Sequence, residues 1–145
     1  MALVEKSVLV EYSAAQMYAL VEDVAAYPEF LPWCGGSEIL KKENDLSRAA
    51  IVIDFRGIKQ RFSTENRLDP PQLIQMTLVD GPFRQLDGSW RFKALGEDAC
   101  KIEFRLHYEF SSKLLEKIVG PVFHYIANSF VDAFVKRARQ LYGER

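Results

Sequence analysis

Cysteine and long apolar runs are both scarce in this sequence. Only Cys34 and Cys100 occur among the 145 residues, and they form no close C-x-x-C pair. This is not the spacing of a disulfide framework or a thiolate metal site, so we expect reduced thiols. The longest apolar runs, Met17–Val21 and Ala49–Ile53, are five residues each, whereas a helix that crosses a bilayer needs about 20. No membrane span is expected.

Glycine and proline are also few, with 8 and 6 residues, whereas 48% of the residues are hydrophobic and 12% are aromatic. A disordered chain would be poorer in aromatic residues, so the composition indicates a folded globular protein. A chain of this length is typical of one domain, and we expect residues 1–145 to form a single one. The N-terminus has neither a basic start nor an apolar signal core, so we expect a cytoplasmic protein.

Neither sign of charge dominates. Nineteen basic and twenty acidic side chains give a net charge of -1, which excludes a generic attraction of the whole domain to nucleic acid, and no specific DNA partner is expected. The charge is uneven along the chain, because residues 111–145 hold six basic and three acidic side chains.

The residue groups that usually carry out catalysis are not visible. No nucleophile stands with a base, no carboxylates pair in an apolar setting, and no glycine loop is suited to a phosphate. Of the two histidines, His107 falls on the charged face of a strand and His124 at the edge of an apolar helix stripe. Asp54 points inward only if its strand keeps register, and a lone aspartate near a turn is more often exposed. We therefore predict a protein that is not an enzyme, with no metal site and no required cofactor.

Periodicity predicts the order of the elements. Residues 3–11 alternate as a strand, Ser13 and Gln16 fit a capping box for a short helix, and Asp23 can cap a second short helix over 24–31. Turn signals between residues 39 and 110 divide that segment into about six antiparallel strands. The clearest alternation places five apolar residues on one face of the last strand: Ile102, Phe104, Leu106, Tyr108 and Phe110.

The C-terminal segment from Leu114 to Tyr142 is the one element long enough to cover such a sheet. Apolar residues recur along it in steps of three and four, from Leu115 to Leu141, which predicts a long helix with one stripe on the sheet. Gly120-Pro121 interrupts the pattern, so we expect a kink or a break there. The predicted fold class is α+β, with a curved antiparallel sheet of about seven strands wrapped around this helix.

Apolar side chains are in excess on the face shared by the sheet and the helix. A dense core accounts for each residue singly, but a curved sheet around one helix can also leave an apolar pocket. In that case Gln60, Thr64 and Asn66 would orient a head group, and each buried methylene of a lipid tail would contribute about 0.8 kcal/mol. The candidate ligand-binding residues are Trp33, Gln60, Phe62, Thr64, Asn66, Met76, Phe83, Trp90, Phe104, Tyr108, Phe123 and Phe130.

Motifs along nearly the whole chain resemble one known family. They are Tyr12–Val21, Tyr27–Cys34, Phe55–Ile58, Leu68–Pro71, Asp80–Phe83, Trp90–Phe92, Tyr108–Phe110 and Val131–Phe134. This sequence is similar to the coenzyme Q-binding, START-like family, which is often labelled polyketide cyclase or dehydrase-like. The resemblance implies a helix-grip fold and a hydrophobic tunnel for an isoprenoid quinone or a similar lipid.

The resemblance leaves three functions open, of which we predict the first and keep the other two as alternatives. The first is non-enzymatic binding of a ubiquinone-type lipid that supports respiration, with a peripheral position at the inner membrane during loading. In that case Leu114, Ile118 and Val122 would contact the membrane surface beside Lys113 and Lys117. The second is a ribosome association toxin that binds the large ribosomal subunit and blocks subunit joining. Its candidate phosphate contacts are Lys59, Arg61, Arg67, Lys136, Arg137 and Arg139. The third is a small-molecule cyclase, for which the residues show no acid and base.

Overall fold

The computed structural model describes residues 2–144. They form a seven-stranded antiparallel sheet that holds one long helix, with two short helices after the first strand. The elements are β1 Ala2–Val10, α1 Ala14–Glu22, a 3-10 helix Val24–Glu29, β2 Cys34–Glu43, β3 Leu46–Phe55, β4 Ile58–Asp69, β5 Leu73–Asp80, β6 Phe83–Gly96, β7 Ala99–Phe110 and α2 Lys113–Tyr142. The predicted α+β helix-grip fold is confirmed.

The sheet is a run of hairpins closed by the first strand. Strands β2 to β6 each pair with the next strand in the chain, and β1 pairs with β7, which gives the order β1-β7-β6-β5-β4-β3-β2. In β7 the predicted alternation is confirmed, since Ile102, Phe104, Leu106, Tyr108 and Phe110 are all buried. A sheet with one apolar face must be covered, and here α2 covers it.

Helix α1 begins as its sequence predicts. The Ser13 hydroxyl accepts a hydrogen bond from the Gln16 backbone N–H at 3.0 Å, and the Gln16 side-chain oxygen accepts from the Ser13 N–H at 2.9 Å. This reciprocal capping box satisfies two donors that would otherwise lack partners at the helix start. Asp23 does precede the 3-10 helix, but its side chain makes no capping hydrogen bond there.

Helix α2 is continuous, so of the two expectations at Gly120-Pro121 the break is wrong, and the kink stays a prediction. Pro121 lies inside the 30-residue helix. Proline removes the hydrogen bond to the carbonyl four residues earlier, that of Lys117. Because Lys117 and Pro121 are both exposed, water can reach the freed carbonyl. Leu141 was also expected on the buried stripe, but it is 51% exposed.

The core lies between α2 and the concave face of the sheet. Its centre is aromatic: the ring of Trp90 lies 4.5 Å from that of Phe104, 5.7 Å from Phe130 and 5.3 Å from Phe134. By length and composition α2 could also cross a membrane, and within residues 2–144 it alone passes that test. Helices at the centre of folded cores pass the same test, and the sheet buries one face of this one.

Candidate functional site

A small apolar cavity lies between α2 and the middle of the sheet. Its volume is about 60 Å³. Thirteen side chains line it: Trp33, Ile51, Ile53, Phe62, Thr64, Met76, Leu86, Phe104, Leu106, Phe123, Ile126, Ala127 and Phe130. Only Thr64 and Trp33 carry a polar side-chain N or O atom. The site can therefore shield an apolar group, but it offers almost nothing for reaction chemistry.

Aromatic rings keep this cavity small. The ring of Phe123 lies 6.1 Å from that of Phe62 and 4.9 Å from that of Phe83, and the Phe130 ring lies 5.6 Å from Trp33. Pockets for small ligands are usually about 300–1,000 Å³, whereas a water molecule takes a share of roughly 30 Å³ in the liquid. In this arrangement of the rings, the space is too small for a quinone ring with an isoprenoid tail.

Seven of the twelve candidate ligand-binding residues line the cavity: Trp33, Phe62, Thr64, Met76, Phe104, Phe123 and Phe130. The other five do not. Gln60 is half-buried on β4, Trp90 is in the aromatic core, and Phe83 packs against Phe110 at 5.0 Å between ring centroids. Asn66 accepts the hydroxyl proton of Thr64 at 2.9 Å, so these two polar groups satisfy each other.

The sequence reasoning missed six residues that line the cavity: Ile51, Ile53, Leu86, Leu106, Ile126 and Ala127. All of them are aliphatic. Strand alternation and helical spacing put these residues on the buried face, so a signal for burial was present. That pattern does not say which buried residues line the cavity, because it does not record how far each residue lies from α2.

Tyr108 lies outside the cavity and forms a hydrogen bond with a histidine. Its hydroxyl is 3.1 Å from Nδ1 of His124. Burial raises the pKa of the Tyr108 hydroxyl above its ordinary value. The two side chains line an open cleft of about 380 Å³ together with Glu109 and Glu116. The pair was not predicted from the sequence, because Tyr108 lies on β7 and His124 lies on α2.

The other candidate residues for chemistry, Asp54 and the two cysteines, do not line the cavity. Asp54 is exposed, so the inward orientation considered for it is wrong, and both cysteines are free and buried. Burial raises the pKa of Cys100 to about 11, which keeps this thiol protonated. Among residues 2–144 no group of three His, Cys, Asp or Glu side chains is placed to hold a metal ion.

The candidate phosphate contacts fall into two classes. Arg61 lies 3.5 Å from a carboxylate oxygen of Glu38 and 3.7 Å from one of Asp80, and Arg137 lies 3.3 Å from Glu29. Four others form no ion pair within the described part of the chain: Lys59, Arg67, Lys136 and Arg139. These four are free to contact an anionic partner.

The tract proposed to contact a membrane is only partly exposed. Leu114 is 66% exposed and Ile118 is 51% exposed. Val122 is buried against the sheet, so its assignment to that surface is wrong. An α-helix has about 3.6 residues per turn, so residues spaced four apart shift gradually around the helix. Leu114 and Ile118 therefore face solvent, whereas Val122 faces the core side of α2.

Comparisons with known proteins were consistent with the fold. A family model described as polyketide cyclase / dehydrase and lipid transport matches residues 10–135. The crystal structure of the Zhui aromatase/cyclase from Streptomyces sp. R1128 has a TM-score of 0.84 to this structure, with 96% of this chain and 94% of that chain covered. Its sequence identity is 17%, so this likeness shows the fold alone.

Two relatives align along almost the whole chain. The ribosome association toxin RatA of Vibrio cholerae is 48% identical over 141 residues, which cover 97% of this chain and 98% of that protein. The mitochondrial coenzyme Q-binding protein COQ10 homolog B of Xenopus laevis is 30% identical, and the alignment covers 97% of this chain and 59% of that protein. The family resemblance in the sequence motifs is therefore confirmed, and this chain belongs to the polyketide cyclase / dehydrase and lipid transport family, whose fold is START-like.

Proposed function

We propose that this protein acts on ribosome association, as a non-enzymatic binding protein that recognises the large ribosomal subunit and blocks subunit joining. The observation that carries the proposal is the 48% identity, along nearly the full length of both chains, to a protein named ribosome association toxin. The geometry supports it, because a cavity of about 60 Å³ leaves little room for a carried ligand. Recognition then depends on the outer surface.

The surface charges suit such a role. Lys136 and Arg139 lie in the last turns of α2 without ion pairs among the described residues, and they can contact RNA phosphates. No covalent step is needed to block subunit joining, since a bound protein can prevent joining by steric exclusion. We place the protein in the cytoplasm, where ribosomes work.

The test is a subunit joining assay. Purified protein is added to separated ribosomal subunits, and joined ribosomes are measured on sucrose gradients. We expect fewer joined ribosomes. We expect Arg139→Glu to weaken this effect, and we expect the salt dependence of its binding to fall by about one phosphate contact. Arg91→Glu is the control, because Arg91 is likewise an exposed cation but lies on β6 rather than on α2. Unchanged joining with wild-type protein overturns the proposal.

The apolar cavity favours a second candidate function, the binding of a ubiquinone-type isoprenoid lipid. The lining is apolar except for the Thr64 hydroxyl and the Trp33 indole N–H, and a relative at 30% identity is named a coenzyme Q-binding protein. Loading would require the rings of Phe62 and Phe123 to separate. In this function the quinone is a ligand rather than a required cofactor, and Leu114 and Ile118 contact the inner membrane surface beside Lys113 and Lys117.

Lipid extraction of the purified protein tests the second candidate. A quinone that copurifies, together with saturable binding of added short-chain ubiquinone, would support it. Binding that is neither saturable nor competed by the extracted lipid would rule it out. The joining assay and the extraction are independent, so both functions can be judged separately.

A further inference from the structure

A groove beside the outer face of α2 combines aromatic rings with cations. It has a volume of about 480 Å³, within the range of small-ligand sites. The end of the 3-10 helix and its following loop form one wall, and Phe55 at the end of β3 and α2 form the others. We propose that this groove binds an unpaired base of RNA and its flanking phosphates. The proposal rests on the ribosome-binding function and names the surface that performs it.

The flat part of the groove is a pair of stacked rings. Phe55 at the end of β3 and Tyr125 on α2 lie nearly parallel, with an interplanar angle of 6° and 5.8 Å between ring centroids. Tyr125 is 46% exposed, although large aromatic side chains are mostly buried in this protein. The guanidinium carbon of Arg56 lies 4.8 Å from the Phe55 ring centroid and 5.0 Å from that of Tyr125. Aromatic rings with an arginine beside them suit a nucleobase, because every base has a π face that can stack on a ring or a guanidinium.

Arg56 occupies a backbone position that does not favour it. Phe55 pairs with Ile58 across a two-residue hairpin loop, and both loop residues have positive φ, 52° at Arg56 and 80° at Gly57. Such loops prefer asparagine followed by glycine, since most side chains are strained there. Within residues 2–144 the Arg56 guanidinium also forms no ion pair. Neither the turn nor a carboxylate explains an arginine. Its guanidinium contacts the rings of Phe55 and Tyr125, and its charge remains available to a phosphate beside a stacked base.

The rest of the groove provides cations and hydrogen-bonding groups. Lys136 lines it without an ion pair among the described residues, and Arg137 lies over the Phe30 ring at 5.0 Å while it contacts Glu29 at 3.3 Å. Ser129, Asp132 and Gln140 also line the groove. These three side chains can bond to the edge of a base, because base edges present both donors and acceptors.

An unpaired RNA base fits this groove better than a lipid surface or a DNA duplex. Lipid head groups and acyl chains have no flat aromatic face that could stack on the Phe55–Tyr125 pair, whereas every base has one. A duplex keeps its base faces stacked inside, whereas loops and bulges of RNA splay bases outward onto aromatic side chains. The Phe55–Tyr125 pair needs such an exposed base face.

The first test changes the shape of one ring. Tyr125→Phe keeps a flat ring, whereas Tyr125→Leu keeps apolar bulk but removes the flat face. We expect Tyr125→Phe to bind purified large ribosomal subunits like wild type and Tyr125→Leu to bind them about 5- to 150-fold more weakly. Arg91→Ala is the control, because Arg91 is exposed on the outer face of the sheet. Equal binding by Tyr125→Leu and wild type overturns the inference.

A second arm uses RNA without the ribosome. Fluorescence anisotropy measures binding of labelled oligoadenylate of about 12 nucleotides, at about 50 mM salt. We expect wild-type binding that is lost in Tyr125→Leu and weakened about 2- to 30-fold in Arg56→Asn. Arg56→Asn should melt at the same or a higher temperature, because asparagine suits the turn. Weaker binding in this variant is therefore not a result of unfolding.

The two arms separate the inference from the proposed function. If wild type binds large subunits but no variant of the groove affects binding, the groove inference is wrong and the ribosome function stands. If wild type binds oligoadenylate through Tyr125 but does not bind large subunits, the groove binds RNA and the ribosome function is wrong.

Discussion

At the scale of the residue, the polar side chains of Thr64 and Asn66 are buried on β4 and bond to each other. Both share strand parity with Phe62, so alternation along the strand places them on the same face. Parity does not specify which neighbour a polar atom will meet, and the two side chains bond to each other at 2.9 Å. Tyr108 and His124 meet at 3.1 Å only because β7 and α2 pack together, and no local pattern records that approach.

Cys100 should make the protein less stable in alkaline solution. Burial raises the pKa of this thiol from its ordinary 9.0 to about 11. A raised folded-state pKa means that the unfolded chain loses the proton first, so this stabilising contribution is complete below pH 9 and disappears by about pH 11. Over this pH range the free energy of unfolding of wild type, measured by urea denaturation, should therefore fall toward that of Cys100→Ala.

The control for this prediction is internal. Between about pH 6 and pH 8 neither state loses the thiol proton, so the difference between wild type and Cys100→Ala should be constant there. A difference that also stays constant up to pH 11 would show that Cys100 titrates normally in the folded protein, contrary to its burial.

At the scale of the element, the helices illustrate what local sequence specifies and what it leaves open. The capping box at Ser13 and Gln16 was predictable because both hydrogen bonds span only three residues. The continuity of α2 through Pro121 was not, because the cost of proline depends on whether the freed carbonyl can reach water. Lys117 and Pro121 are both exposed, a fact that depends on how the helix rotates against the sheet.

Removing the α1 cap should destabilise the protein without changing the fold. In Ser13→Ala the Gln16 backbone N–H loses its side-chain acceptor, which should lower the free energy of unfolding by about 1 kcal/mol. Chemical denaturation measures this change. Ser13→Asp is the matched control because it keeps an acceptor at the N-cap. A loss in Ser13→Asp as large as that in Ser13→Ala would contradict the capping role.

Replacing Pro121 should stabilise α2. Pro121→Ala restores a backbone N–H that can donate to the Lys117 carbonyl, and we expect thermal and urea denaturation to report a gain of about 1 to 3 kcal/mol. Pro82→Ala is the comparison, since Pro82 lies between β5 and β6 and not inside a helix. A decrease in stability for Pro121→Ala would mean that its ring makes packing contacts that outweigh the restored hydrogen bond.

At the scale of the whole molecule, the decisive quantity is the space left between the sheet and α2. Seven candidate residues do surround one cavity, but that cavity is only about 60 Å³. Ring packing closes the interior and favours a function at the surface. The three-dimensional arrangement also brings Phe55 and Tyr125 together, although 70 positions separate them in the chain.

Enlarging the cavity should exchange stability for ligand capacity. Phe130 lines the cavity and lies between Trp33 and Trp90. Phe130→Ala should lower the free energy of unfolding by about 3 to 5 kcal/mol in urea denaturation. Isothermal titration with short-chain ubiquinone should then show stronger binding than in wild type, because the new volume is apolar.

Leu95→Ala serves as the control for this experiment, since Leu95 is 58% exposed and its removal leaves no cavity. It should change neither stability nor quinone binding appreciably. If wild type already binds the quinone as strongly as Phe130→Ala, the rings must open on their own, and the second candidate function gains support.

The order of the elements, the buried face of β7 and the family were all determined by the sequence alone. These features depend on local periodicity, on turn residues and on motifs that lie close together in the chain. The tertiary structure decided the volume of the interior and the outer groove at Arg56. Both depend on how sheet curvature and ring orientation combine across distant segments, and no short stretch of sequence encodes that combination.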